Sequence, residues 1–495
     1  MSQIKKLFSQ TAYYGISSIL GRMLYYALVP LHTRVLNTQS DYGIVGELYA
    51  YVTFLNILFL YGMETAFFRF SNKSENKQEV YNQTFSIITS SSILFAALLF
   101  LFAQSINGFL SEGDTQLYRI EYIQMFIGIM FFDALSTMPF AKLRLENKAL
   151  KFASIRFAGI FVNVVLNLFY LLLCPYLITK ESFHWISAVY APHNEIYYIF
   201  LSNLVASFSV LLFLYKEIIS ARWSLVWTKI KPMLLFSMPL LIGGLAGMMN
   251  ETLDRILLKY LLPGTISERL SQIGIYNAAY KLSIFMTLAI QAFRMAAEPF
   301  FFSINKDVDS KEIYAKTMNY FVLACAFIYL GVVLHLDMLA YILGPLYREG
   351  LHVVPILLFA NLFLGIYINL SIWFKVTDKT KYGAYITLLG AAITIILNIY
   401  WIPIYGYLGS AYATLICYFV MAIVCYIYGQ KYFKVPYNIN IILKYILIVL
   451  GVSILSYMLE RYIQDGALLL KQIIRSVLFL IFTYYAWLEI KMLKK

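Results

Sequence analysis

Residues 84–105 read TFSIITSSSILFAALLFLFAQS, a run without one charged side chain. An α-helix rises 1.5 Å per residue, so roughly twenty mostly apolar residues cross the hydrocarbon core of a bilayer. Comparable runs recur on both sides of this one, near 11–36, 43–63, 120–141, 152–178, 195–215, 232–258, 273–296, 316–337, 352–374, 381–402, 407–429, 441–460 and 470–490. The pattern predicts an all-α integral membrane protein of about fourteen transmembrane helices.

The composition agrees. Of 495 residues, 61% are hydrophobic and 13% charged, where a soluble domain carries nearer a quarter charged residues. Length alone would allow about three soluble domains. The longest polar intervals run to about fifteen or twenty residues, too short for a separate core. The four cysteines, Cys174, Cys325, Cys417 and Cys425, all lie in apolar runs without metal-ligand spacing. They read as small buried hydrophobes. The opening MSQIKKLFSQTAYYGISSIL begins basic but shows no small-residue cleavage site, so the first helix is expected to remain as an anchor. A net charge of +13 would point to nucleic acid in a soluble protein. Here the basic residues occupy short loops between spans, and no nucleic-acid partner is expected.

Orientation follows from those basic residues. With the N-terminus inside, 27 of the 39 Lys and Arg fall on cytoplasmic segments and eight on outer ones. With basic residues towards the span ends, Arg156, Arg294, Lys471 and Arg475 among them, counted with the adjoining segments, Arg22, Arg34, Arg255 and Lys281 remain within spans. The bias holds from end to end, which requires an even number of spans and places both termini in the cytoplasm. A weak internal repeat adds organisation. Leu7-Phe8-Ser9 precedes Gly15 as Leu235-Phe236-Ser237 precedes Gly243, and Tyr42-Gly43-Ile44 parallels Ile273-Gly274-Ile275. The expected layout is a six-helix lobe over 1–215, a cytoplasmic linker over 216–231, a second six-helix lobe over 232–429, and two extra helices over 430–495.

A charge in the bilayer centre costs roughly 2.5–3.5 kcal/mol on insertion scales and is tolerated where it faces a bundle interior or a hydrated cavity. Tyr14, Ser18, Arg22 and Tyr26 form one stripe of the first span. Arg34 is placed to snorkel to the interface. In the seventh span, Glu251, Asp254 and Arg255 share a face, so a Glu251–Arg255 pair that fixes packing competes with a polar cavity wall. The eighth span carries Asn277, Lys281, Gln291, Arg294 and Glu298 in one stripe down an otherwise apolar helix. Spans 1, 7 and 8 are therefore expected to line a common interior. Asp133 in the fourth span either couples an ion or pairs with a neighbour; Glu251, Asp254 and Glu298 carry the same two readings. Glu64 and Arg69 close the second span.

No Walker A motif or dinucleotide fingerprint occurs. Asp307-Val308-Asp309 has metal–nucleotide-sugar spacing but lies in a short loop, and the five histidines are scattered without ligand spacing. No cofactor, metal or catalytic residue is expected. Asn72-Lys73-Ser74 and Asn82-Gln83-Thr84 match glycosylation sequons on the side assigned to the cytoplasm.

Several short motifs, in this order, resemble the bacterial polysaccharide transporter (O-antigen flippase) family of the multidrug/oligosaccharidyl-lipid/polysaccharide superfamily. They are Leu31-His32-Thr33-Arg34-Val35-Leu36 with Asp41-Tyr42-Gly43, then Tyr61-Gly62-Met63-Glu64-Thr65-Ala66 with Arg69, and Pro139-Phe140-Ala141-Lys142-Leu143-Arg144. Asp254-Arg255, Gly274-Ile275-Tyr276-Asn277-Ala278-Ala279 and Ala292-Phe293-Arg294-Met295-Ala296-Ala297-Glu298-Pro299 complete the set. The resemblance implies two six-helix lobes around a central cavity in the bacterial inner membrane. It implies a flippase that moves undecaprenyl-pyrophosphate-linked oligosaccharide, such as an O-antigen unit for lipopolysaccharide, from the cytoplasmic to the periplasmic leaflet. By position, Arg22, Arg69, Arg255 and Lys281 would hold the pyrophosphate, with Asn277, Gln291 and Arg294 beside them. Membrane lipid, a polysaccharide polymerase and chain-length machinery are the implied partners. Two other readings stay open: a cation-coupled multidrug exporter of the same superfamily, and a membrane-embedded polysaccharide polymerase.

Overall fold

The computed structural model describes residues 21–114, 117–304, 309–462 and 468–494. Nearly all are helical, and no strand occurs among the described residues. The longer helices are α1 (Val29–Val35), α2 (Gln39–Leu60), α3 (Met63–Lys73), α4 (Lys77–Leu101), α5 (Ala103–Ser111), α6 (Ile120–Leu145), α7 (Ala149–Leu168), α8 (Glu195–Phe213) and α9 (Trp227–Leu261). They continue as α10 (Ile266–Leu282), α11 (Ile284–Ile304), α12 (Ser310–Leu334), α13 (Val354–Leu370), α14 (Lys381–Tyr405), α15 (Tyr407–Tyr432), α16 (Ile439–Tyr462) and α17 (Leu468–Lys494). Among the described residues, twelve helices are long and apolar enough to cross a membrane, or thirteen with the bent pair α10–α11. The first expected span begins outside the described residues, as do Leu7–Gly15 of the repeat and Asp307 and Val308. The expected number, about fourteen, is close to this count, and the chain is a multi-pass membrane protein.

Local sequence sets the helix ends. Thr38 caps α2 by accepting from Asp41 N–H at 3.2 Å, while the Asp41 carboxylate accepts from Thr38 N–H at 2.9 Å. This reciprocal box satisfies two orphan donors. The junction of α2 and α3 passes through left-handed backbone at Tyr61 (φ 33°) and Gly62 (φ 74°), a region that Gly enters without a Cβ penalty. The eighth span expected over 273–296 falls on α10 and α11, which are bent by 50° at their junction. Ser283 lies at the break, and its hydroxyl donates to the Tyr280 carbonyl at 2.7 Å. Such back-bonding competes with the helix ladder. The polar stripe from Asn277 to Glu298 is thus broken into two segments.

The chain forms two compact units, Met1–Gly274 and Ile275–Lys495. In the first, α9 packs on α2, α3 and α4, and the expected linker over 216–231 lies in the same unit, its last five residues forming the start of α9. Tyr61, Met63, Phe67, Tyr81, Met138 and Met233 form a buried cluster there. In the second, α13 and α14 both pack on α15, and α12 receives α16 and α17. Lys444–Glu489 joins α16 to α17, and Arg475–Asp337 fastens α17 to the residues that follow α12. The four cysteines are buried and free.

Candidate functional site

One end of the first unit gathers arginines over aromatic rings. Helix α3 supplies Glu64, Phe68 and Arg69; the last turn of α6 supplies Arg144; the first half of α7 supplies Arg156. The Arg69 guanidinium lies 4.1 Å from the Phe236 ring centroid, that of Arg144 4.8 Å from Phe68, and that of Arg156 4.4 Å from Phe140. Arg144 is ion-paired with Glu64. Arg156 lies in the field of Asp133, Glu64 and Tyr25, with Arg144 opposing it. Ser207 is hydrogen-bonded to the Asp133 carboxylate, and Arg156 acts on the same acid through space. Arg69 and Arg156 are exposed, and Arg144 keeps 35% of its side chain accessible. A ring face orients a guanidinium while leaving its N–H edge free for an oxyanion. Arg22 is also exposed, on the helical turn that begins the described chain.

Arg255 is held differently. It is buried, its Nη1 lies 3.2 Å from Asp254 Oδ1, and it donates to the Glu251 backbone carbonyl at 3.0 Å. The expected Glu251–Arg255 carboxylate pair is replaced by this contact, because Asp254 Oδ1 also accepts the Arg255 N–H at 2.9 Å and closes a tight local ring. Glu251 is exposed. Phe236, under Arg69, and Arg255 are nineteen residues apart on α9, about 28 Å along the helix. One pyrophosphate cannot touch Arg69 and Arg255 together. Of the eighth-span residues, Asn277 is buried, Lys281 and Gln291 are half-buried and Arg294 is exposed. Glu298 forms an ion pair with Lys375.

A fully buried polar group lies at the other end of α9. Lys259, at the last turn of α9, donates to Glu47 Oε1 at 2.7 Å, to the Leu110 carbonyl at 2.7 Å and to the Tyr118 hydroxyl at 3.2 Å. The Tyr118 hydroxyl in turn donates to Glu47 Oε2. Both charged side chains are 0% exposed. The signal was available: Glu47 is an acid inside an apolar span, the same argument that singled out Asp133. Lys259 instead reads as one more basic residue of an outer loop.

These features sit in a known frame. The sequence model of a family described as polysaccharide biosynthesis protein matches residues 7–305. The chain belongs to this family. A comparison with curated protein sequences finds no match. Among solved structures, the lipid II flippase MurJ, in an inward closed conformation, aligns with a TM-score of 0.70 at 16% identity, covering 96% of this chain and 99% of that one. An outward-facing multidrug resistance MATE transporter of the MOP superfamily aligns at 0.57 and 14% identity, covering 85% and 94%. The Vibrio cholerae MATE transporter VcmN in its bent form aligns at 0.56 and 14%, covering 86% and 96%. The polysaccharide biosynthesis protein thus has the fold shared by MurJ and the MATE transporters.

Proposed function

We propose that this polysaccharide biosynthesis protein is a flippase that carries undecaprenyl-pyrophosphate-linked oligosaccharide from the cytoplasmic to the periplasmic leaflet by alternating access. The observation that carries the reading is the set of accessible, ring-mounted guanidiniums of Arg69, Arg144 and Arg156 in a chain of this family and fold. A pyrophosphate carries about two negative charges, and planar guanidiniums take it bidentately. The bias of the basic residues supports a cytoplasmic placement of this end of the first unit and of both termini, and the flippase reading takes the membrane to be a bacterial inner membrane. The headgroup would load there while its prenyl tail stays in lipid. The task needs no covalent chemistry, so the protein acts as a transporter and supplies units to a polysaccharide polymerase and its chain-length partners.

Export of drugs is the second reading, since MATE transporters share the fold. Coverage favours the flippase: the MurJ alignment takes in 96% of this chain against 86% for VcmN. The deciding test is leaflet exchange of an undecaprenyl-pyrophosphate-linked oligosaccharide in proteoliposomes. Wild type is expected to exchange it, and Arg144→Ala and Arg156→Ala to slow exchange about tenfold or more while folding normally. A folded wild type that exchanges no lipid-linked glycan overturns the reading and sends the protein to cation-coupled export assays.

A further inference from the structure

We propose that Glu47, Lys259 and Tyr118 form a latch that closes the transport path at the end of the first unit remote from the arginine cluster, and that it must open once per cycle. The inference rests on the transport reading above. Four features of the molecule point to it.

The latch ties together three stretches far apart in sequence: the first half of α2, the end of α5 with the segment after it, and the last turn of α9. Every polar valence is used. The three ammonium protons of Lys259 go to Glu47, the Leu110 carbonyl and Tyr118, and both Glu47 oxygens are occupied. A network so completely satisfied in a dry site is cooperative: losing one member strands the others. It therefore has two discrete states, made or broken, as a gate requires.

A buried ion pair is also a weak device for stability alone, because apolar residues of similar size do as well. What it supplies is a closure that fits in one register and separates when water enters. A second tier surrounds it. Arg269 donates to the Lys259 carbonyl at 2.8 Å and is ion-paired with Glu112, and the Tyr51 and Tyr260 hydroxyls meet at 2.8 Å.

The backbone seals beside the latch. A β-carbon on Gly43 of α2 would lie 1.9 Å from the Leu270 carbonyl oxygen, and one on Gly274 of α10 would lie 2.1 Å from that of Gln39. Here α2 and α10 touch main chain to main chain. A contact without side chains parts and re-forms with no rotamer change, so α2 can leave α9 and α10 as a rigid rod.

The test reads accessibility and needs no glycan. In a background with Cys174, Cys325, Cys417 and Cys425 replaced by Ala, Ala50→Cys places one thiol a turn deeper than Glu47, at a position 3% exposed. A membrane-impermeant maleimide is applied from outside to the full chain in proteoliposomes. Glu47→Gln and Lys259→Met are expected to speed labelling at least tenfold, and Tyr118→Phe about threefold. A control thiol at Ala141→Cys, 0% exposed near the arginine cluster, is expected to keep its parent rate. Unchanged labelling at Ala50→Cys in all three variants overturns the latch, as does an equal rise at Ala141→Cys. Should the charge variants fail to fold, Tyr118→Phe decides alone. Failure of glycan exchange with the labelling response intact would sink the flippase and leave the latch standing.

Discussion

The two ends of the first unit hold the same kinds of charge under opposite conditions. At one end Arg69, Arg144 and Arg156 lie on phenylalanine faces with accessible edges and only partial pairing. At the other, Lys259 and Glu47 are 0% exposed and fully partnered. The difference separates two jobs. A cation that is to receive a ligand must retain unmet hydrogen-bonding capacity and water to give up. One that is to hold helices together must have neither. Burial therefore decides how much each charge matters to folding.

The largest break in this comparison comes from removing one buried partner. Lys259→Met strands the Glu47 carboxylate in a dry site and is expected to cost about 3–5 kcal/mol. Glu47→Leu with Lys259→Met should recover most of that loss, since an apolar pair of similar volume is near neutral. Thermal unfolding in one detergent reads both. A double variant as unstable as the single would show that the network, and not the stranded charge, carries the energy.

Packing beside the latch sharpens the same contrast. Gly43→Ala forces a methyl into the Leu270 carbonyl and is expected to destabilise by about 1–3 kcal/mol. Gly108, on α5, has nothing within 4 Å of a built β-carbon, so Gly108→Ala should be neutral or stabilise by roughly 0.5–1 kcal/mol through helix propensity. Equal losses at both positions would mean that the backbone contact at Gly43 yields easily.

The architecture was legible because a span needs only length and apolarity, and 84–105 or 407–429 supply both whatever their neighbours do. The helix break at Ser283 is hidden in the sequence, since no proline or glycine marks it and a hydroxyl bonded to its own turn also occurs in unbroken helices here. Site residues were legible in type but not in partner. Arg255 stands out in the sequence as a charge in an apolar run, yet its carboxylate partner is Asp254 next door. Lys259 and Glu47 are 212 residues apart, and no local pattern joins them. Arg144 stands in the sequence only as the end of a family motif, and Arg156 near the start of the fifth span carries no pattern that marks it. Their role shows only when Phe68 and Phe140 are found beneath them.

At the open end the effects should appear in transport before stability. Arg144→Lys keeps the charge but loses the planar fork and the ring stacking, so exchange is expected to fall severalfold, less than for Arg144→Ala. Thermal stability should move by less than about 1 kcal/mol, as expected for a pair with a third of each side chain accessible. Full activity in Arg144→Lys would mean that only positive charge is sensed there, and that the ring-mounted geometry is incidental.

The smallest effect is the most exacting check. Lys229, at the start of α9, is ion-paired with Glu79, at the start of α4, with 48% and 39% of their side chains exposed. The pair joins two helices at the same end as the arginine cluster, so by connectivity alone it resembles the latch. Water screens it, however, and two long side chains lose freedom to form it, so its net worth is close to zero. Lys229→Gln should change stability by less than about 0.5 kcal/mol and leave glycan exchange within twofold of wild type. A loss comparable to that of Lys259→Met would show that bridging two helices matters regardless of solvent. The contrast between the two ends would then rest on which helices are joined, and not on how dry the joint is.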